Sequence, residues 1–112
     1  MRSLMLIALL AAPVLFARPA SAADAEANWT KHCASCHGKD GMAQTKMGIK
    51  NKIKDMTTAE WQAKNTDAKN QEAILNGVKD ADGNPTKMKS FKEKLTKEEV
   101  VDLVKYVRAF KK

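Results

Sequence analysis

The sequence Cys33-Ala34-Ser35-Cys36-His37 contains both cysteines of this 112-residue chain. The two thiols stand three positions apart, and an imidazole follows directly after the second. Two cysteines this close together cannot staple a fold as a disulfide framework does. The segment therefore indicates a site that carries chemistry rather than a structural cross-link.

The spacing matches the pattern by which haem is attached covalently to a polypeptide. Two thiols at the end of a helix can reach the two vinyl groups on one porphyrin edge and form thioethers. The neighbouring imidazole is then brought under the ring, where it can bind the iron axially. We therefore predict one covalent haem c, attached through Cys33 and Cys36, with His37 as an iron ligand.

Other uses of a Cys-x-x-Cys pair fit the sequence less well. A thioredoxin-like redox pair needs a βαβ context, and none is visible. The candidate zinc ligands are His32, Cys33, Cys36 and His37. All four lie in one short segment, so a tetrahedral zinc site built from them would be strained. A thiol redox protein without haem stays as an alternative, and the colour of the purified protein would exclude it.

Residues 1–22 have the order of a secretory signal peptide. Arg2 precedes an apolar run from residue 4 to residue 16, and Ala20-Ser21-Ala22 offers a cleavage site. The run is shorter than the roughly 20 residues that a membrane-spanning helix needs, so an uncleaved anchor is the less favoured alternative. We expect cleavage near Ala22, export to the periplasm and a domain over residues 23–112 without a stable membrane anchor.

The domain is predicted to be all-α, with three to four helices and long loops wrapped around the haem. Capping boxes at residues 57–60 and 96–99 open two of the helices. Apolar residues at three- and four-residue steps after the second box mark the clearest helix. The predicted helices cover residues 24–35, 57–61, 67–76 and 97–110, with irregular segments at 38–56 and 79–90. Only 5% of the chain is aromatic, which is thin for a core unless a haem supplies apolar bulk.

The second axial position of the iron needs a ligand or stays open. Met88 lies in an irregular segment that can cross the open haem face, and Lys87 and Lys89 flank it, unlike a methionine that only fills a core. We predict Met88 as the sixth ligand. The alternatives are a different methionine (Met42, Met47 or Met56) or an open iron with peroxidase-like or gas-sensing activity.

At these positions the chain resembles the class I c-type cytochromes, which are small all-α proteins with the haem motif near the N-terminus. Ala25 and Trp29 match the small and aromatic residues that the family places eight and four positions before the first cysteine. Gly38 matches the glycine after the haem histidine. Leu103 and Tyr106 match a pair on the last helix, and the resemblance implies that they pack on the first helix.

The resemblance also bears on the distal side of the haem. The family's methionine is commonly followed by proline and, two positions further on, by an aromatic residue. Here Lys89 follows Met88, and Phe91 holds the aromatic position. The resemblance further implies a Trp or Tyr side chain that hydrogen-bonds a haem propionate. Trp61 is a candidate for that role, and ordinary core packing is an equal alternative for it.

These features imply a single-electron carrier and not an enzyme, because His and Met ligands together leave the iron no position for a substrate. The chain has 20 Lys and Arg against 13 Asp and Glu, a formal charge of +7. Lysines cluster at residues 46–54 and 87–94. We expect a monomer whose lysines steer redox partners with acidic docking surfaces, although a merely solvated surface is an equal alternative. Nucleic acid is a poor partner for an exported protein.

Overall fold

The computed structural model describes residues 11–14 and 22–112. The predicted signal peptide therefore lies outside the described residues, apart from residues 11–14 and Ala22. The described chain contains six helices: α1 (Ala22–His32), α2 (Ala34–His37), α3 (Lys46–Lys50), α4 (Ala59–Lys64), α5 (Asp67–Asn76) and α6 (Lys97–Arg108). Within these ranges there is no strand, only one antiparallel bridge between Lys79 and Pro85. The predicted all-α fold is confirmed.

Helix α6 forms because its sequence supplies both a start and an apolar face. Thr96 and Glu99 make the predicted capping box, in which each side chain accepts a hydrogen bond from the backbone N–H of the other residue. The Glu99 carboxylate also accepts a hydrogen bond from the Asn28 side-chain amide. The pKa of Glu99 is lowered, most strongly by the bond from the Thr96 N–H and next by the bond from Asn28. The apolar face is buried as predicted, at Val100, Leu103, Val104 and Val107.

The core lies where α1 and α5 both pack against α6. Trp29 on α1 is its centre, with ring centroids 5.6 Å from Tyr106 and 5.1 Å from Phe110. Leu103 belongs to the same buried cluster, and so does Ile74 of α5. The packing of the first and last helices that the resemblance implied is therefore present.

Three local expectations were wrong. The predicted first helix is interrupted at Cys33, whose φ of −120° ends α1 before α2 begins. The segment 38–56, expected to be irregular, contains α3, which at five residues is too short for its hydrophobic period to register. The cap of α4 is Thr58 and not Thr57, because Thr57 is buried and bonded to the Asp55 carboxylate instead.

A polar network joins the C-terminal part of α6 to α4 and α5. The guanidinium of Arg108 donates to the Gln62 side chain and to the backbone carbonyls of Gln62 and Asn65, and it pairs with Asp67 at 2.6 Å. The buried Gln62 amide in turn donates to the carbonyls of Met56 and Val107. The network thereby joins α6 to α4 and its C-cap through backbone carbonyls, and to the start of α5 through the Asp67 carboxylate. None of the helices in these ranges is long and apolar enough to cross a membrane.

Candidate haem site

The cysteine motif lies at the break between α1 and α2. The Cys33 N–H still donates to the Trp29 carbonyl at 2.8 Å, as in a continuing helix. The Cys33 carbonyl then accepts from the N–H groups of Cys36 and His37, at 3.2 and 2.9 Å. This tight turn keeps the two thiols and the imidazole on one short, hydrogen-bonded segment.

Three consecutive backbone carbonyls at the end of the motif, those of residues 36–38, each accept a donor from elsewhere in the chain. The Thr45 hydroxyl donates to Cys36 at 2.7 Å, and the Ala43 N–H donates to His37 at 2.9 Å. The Trp29 indole donates to Gly38 at 2.9 Å in a buried bond. Carbonyls at a helix end have no partner inside the helix, so these bonds pair them and fix the backbone that carries His37.

The loop that supplies two of these donors lies very close to the motif. A Cβ atom on Gly48 would stand 2.6 Å from the Cys36 carbonyl oxygen and would also collide with the Ala43 carbonyl. Ala43 itself has a left-handed φ of 57°, which costs a non-glycine residue about 1–2 kcal/mol. Sequence reasoning missed Thr45 and Gly48. The one signal in the sequence for α3 was Thr45, because threonine is favoured as the N-cap residue of a helix.

The His37 ring is packed into the protein. Its centroid lies 5.7 Å from that of Trp29. Its Nδ1 atom is buried and has no hydrogen-bond partner, which is unusual for a buried polar atom. Burial lowers the pKa of His37, so the ring is neutral at physiological pH. A neutral imidazole is the form that binds a metal ion.

Two cavities meet at the predicted site. The first, about 770 Å³ with its mouth, is mainly apolar and is lined by Trp29, Ile74 and Leu103 among others. The second, about 880 Å³, opens toward exposed lysines. Cys33, His37 and Met88 line both cavities.

The methionines differ in their relation to these cavities. Met88 is half-buried and borders both. Met56 is buried and borders only the first, while Met42 and Met47 border neither. Trp61 also lines the first cavity, on the wall formed by α4 and α5. His32 lines the second cavity only, with its ring 5.5 Å from Phe91.

The alternatives to haem gain no support from the site. Burial raises the pKa of the Cys33 thiol to about 12, so the thiol is protonated and a poor nucleophile, unlike the cysteines of thiol redox proteins. In the part of the chain that is described, no three side chains of His, Cys, Asp or Glu are placed to share a metal ion. Two thiols, an unpaired imidazole and an apolar cavity together fit a covalently attached haem.

The family model for cytochrome c matches residues 22–111. The chain belongs to the cytochrome c family. With its all-α fold and N-terminal motif it is a class I c-type cytochrome, and its cofactor is covalent haem c. The predicted family and cofactor are thereby confirmed.

Solved structures agree with this assignment. The chain is 41% identical to the KustC0563 c-type cytochrome, with a TM-score of 0.67 over 79% of this chain and 98% of that one. A tyrosine-to-phenylalanine mutant of the same protein matches with a TM-score of 0.65, again at 41% identity, over 79% of this chain and 99% of that one. No curated protein sequence matches this cytochrome significantly.

The bond from Trp29 to Gly38 is expected to contribute measurably to the stability of this cytochrome. Replacing Trp29 by Phe removes this buried bond and leaves the Gly38 carbonyl only the longer bond from the Gly41 N–H, at 3.3 Å. One lost hydrogen bond costs about 0.5–1.5 kcal/mol. We expect the free energy of unfolding of the haem-bearing protein to fall by that amount, measured by far-UV circular dichroism in guanidinium chloride. Tyr106→Phe removes a polar atom from the same aromatic cluster without breaking a side-chain bond and serves as the control. Equal losses in the two variants would contradict the role of this bond.

Proposed function

We propose that this cytochrome is an exported single-electron carrier in which His37 and Met88 hold the haem iron and Cys33 and Cys36 hold the porphyrin. The observation that carries the proposal is that His37 and Met88, 51 positions apart in the sequence, border the same two cavities together with Cys33. Small members of the family carry electrons. Residues that would hold an iron from both sides support that role here.

The residues of the site would act as a fixed frame. Bound haem supplies the one-electron chemistry of its iron, which the polypeptide itself lacks. The paired carbonyls of residues 36–38 keep the His37 imidazole in one position. The apolar wall of the first cavity keeps water away from the iron, and a thioether ligand in such a wall raises the reduction potential. His37 and Met88, as its two protein ligands, would leave the iron no free position for a substrate, and their fixed placement would suit the transfer of single electrons.

The choice between Met88 and Met56 is tested by a pair of conservative variants. We expect Met88→Leu to lose the low-spin spectrum and the weak long-wavelength methionine-to-iron band, and to lower the reduction potential, because an apolar side chain cannot bind iron. Met56→Leu, which changes a methionine beside the first cavity, is expected to keep both features. Absorption spectra of the two oxidation states and potentiometry measure the outcome.

A reversed result in this pair would assign the ligand to Met56. An unchanged spectrum in both variants would contradict methionine ligation by either residue. If the wild-type iron is high-spin and binds added ligands freely, the open-iron alternative, with peroxidase-like or gas-sensing activity, takes the place of the carrier.

Export is supported by the position of the domain. The family match and α1 both begin at residue 22, where the predicted signal peptide ends. We expect protein isolated from the periplasm of a host with haem-attachment machinery to have the intact mass of residues 23–112 plus one haem. A cytoplasmic extract of the same cells serves as the control. A periplasmic mass that includes residues 1–22, or that lacks a haem, would contradict cleavage or attachment respectively.

Lysines at the second cavity support docking to acidic partners. Lys31, Lys87, Lys89 and Lys94 are exposed and line this cavity. Lys87, Lys89 and Lys94 belong to the predicted cluster at residues 87–94. The lysines of the cluster at residues 46–54 do not line this cavity, although Ile53 does. Positive charge around one opening raises the encounter rate with a negatively charged partner.

We expect electron transfer from a reduced acidic flavoprotein to slow by about tenfold or more as salt is raised from low to above physiological ionic strength. Lys87→Gln with Lys89→Gln should weaken this salt dependence. Lys105→Gln with Lys111→Gln removes the same charge away from the second cavity and should change it less. Stopped-flow absorption gives the rates, with neutral hydroquinone as a reductant that feels no steering. If the wild type and both double variants show the same salt dependence, Lys87 and Lys89 do not steer partners and only solvate the surface.

A further inference from the structure

Residues 87–91, the segment that carries Met88, cross the C-terminal end of α5. The last carbonyls of a helix lack partners inside it, and here two of them accept hydrogen bonds from the crossing segment. The Phe91 N–H donates to the Ile74 carbonyl at 2.9 Å, and the Ser90 hydroxyl donates to the Leu75 carbonyl at 2.5 Å. The segment caps α5, and α5 in return holds the segment.

Gly77 lets the segment approach this closely. It follows α5 with a left-handed φ of 77°. A Cβ atom at this position would stand 2.9 Å from the Met88 carbonyl oxygen and 3.0 Å from the Ser90 nitrogen. These are backbone atoms that cannot turn aside. Just beyond, the Val78 N–H donates to the same Met88 carbonyl at 3.0 Å, so the backbone of the segment is attached on both sides of Lys89.

Few side chains of the segment are packed into the protein. Lys87, Lys89 and Ser90 are exposed, and only Met88 and Phe91 are partly buried against the core. The residue after Met88 is Lys89 and not a proline, so the backbone there lacks the fixed φ that a proline would impose. Before Met88, the Thr86 N–H and hydroxyl donate to the Val78 carbonyl at 3.0 and 2.7 Å. After Met88, the hydrogen bonds to α5 restrain the chain.

We propose that Ser90 and Gly77 are positioning residues that keep Met88 at the haem iron by attaching its segment to the end of α5. The inference rests on the proposed function, because it takes Met88 as an iron ligand. Ser90 acts through the bond that its hydroxyl donates to the Leu75 carbonyl, and it needs no contact with the haem. The same hydroxyl also accepts from the Lys92 N–H at 3.3 Å, a bond within the segment itself. Without this bond the segment detaches more often, and a larger fraction of molecules offers an open position at the iron.

Imidazole added to the oxidised haem-bearing protein tests the proposal, because it binds only molecules whose methionine has left the iron. Ser90→Ala is expected to raise the apparent imidazole affinity about three- to tenfold, the factor that one lost hydrogen bond supplies. Ser90→Thr keeps the hydroxyl and is expected to restore the wild-type affinity. Gly77→Ala forces the segment away and should raise the affinity further. Absorption titration measures all four proteins.

Thr66→Ala is the matched control. Thr66 caps the other end of α5, where its hydroxyl accepts from the Lys69 N–H at 3.3 Å. The variant weakens the same helix without touching the Met88 segment. It should lower the free energy of unfolding and leave the imidazole affinity unchanged. An affinity raised as much as in Ser90→Ala would show that general weakening of α5 is the cause, and the proposal would fail.

Failure of the inference differs from failure of the proposed ligation. An unchanged imidazole affinity in Ser90→Ala, in a protein whose Met88→Leu variant loses the low-spin spectrum, overturns the positioning role and keeps Met88 as ligand. An unchanged spectrum and imidazole affinity in Met88→Leu overturns the ligation itself. If Gly77→Ala does not fold, Ser90→Ala, at an exposed side chain, decides alone.

Discussion

A buried imidazole with an unpaired nitrogen is the constraint around which this cytochrome is organised. Burying a polar group without a partner costs free energy, and the fold nevertheless packs the His37 ring against Trp29 beside an open cavity. The helices do not close over this space. They form its walls, so the core of the protein is completed by its haem and not by its own side chains.

The two sides of the site are held by different means. On the His37 side, the restraints are a buried indole bond, a threonine bridge and a loop packed so closely that Gly48 admits no side chain. On the Met88 side, exposed hydrogen bonds attach a polar segment to one helix end. Exposed backbone and few apolar contacts are typical of segments that open locally. The His37 side is therefore the more tightly restrained half of the site, and the Met88 segment is the half that opens locally more readily.

The two cavities that meet at the site differ in charge and polarity. The first cavity is walled by apolar side chains of α1, α5 and α6, whereas the second opens among exposed lysines. The Arg108 network joins α6 to two helices that line the first cavity, to α4 through backbone carbonyls and to α5 through the Asp67 carboxylate. The cofactor site therefore has one mainly apolar wall and one opening among positive charges.

The sequence by itself determined the covalent haem, the family, and the start and buried face of α6, because each depends on spacing within a few residues. Only the tertiary structure decided the rest. Thr45 and Gly48 contact Cys36 from a loop whose sequence has no hydrophobic period. Thr57 hydrogen-bonds to Asp55 and does not cap α4 as predicted. Met88 differs from Met56 in the cavities that it borders. Contacts between distant residues leave no local pattern, since they arise from which surfaces the packed helices bring together.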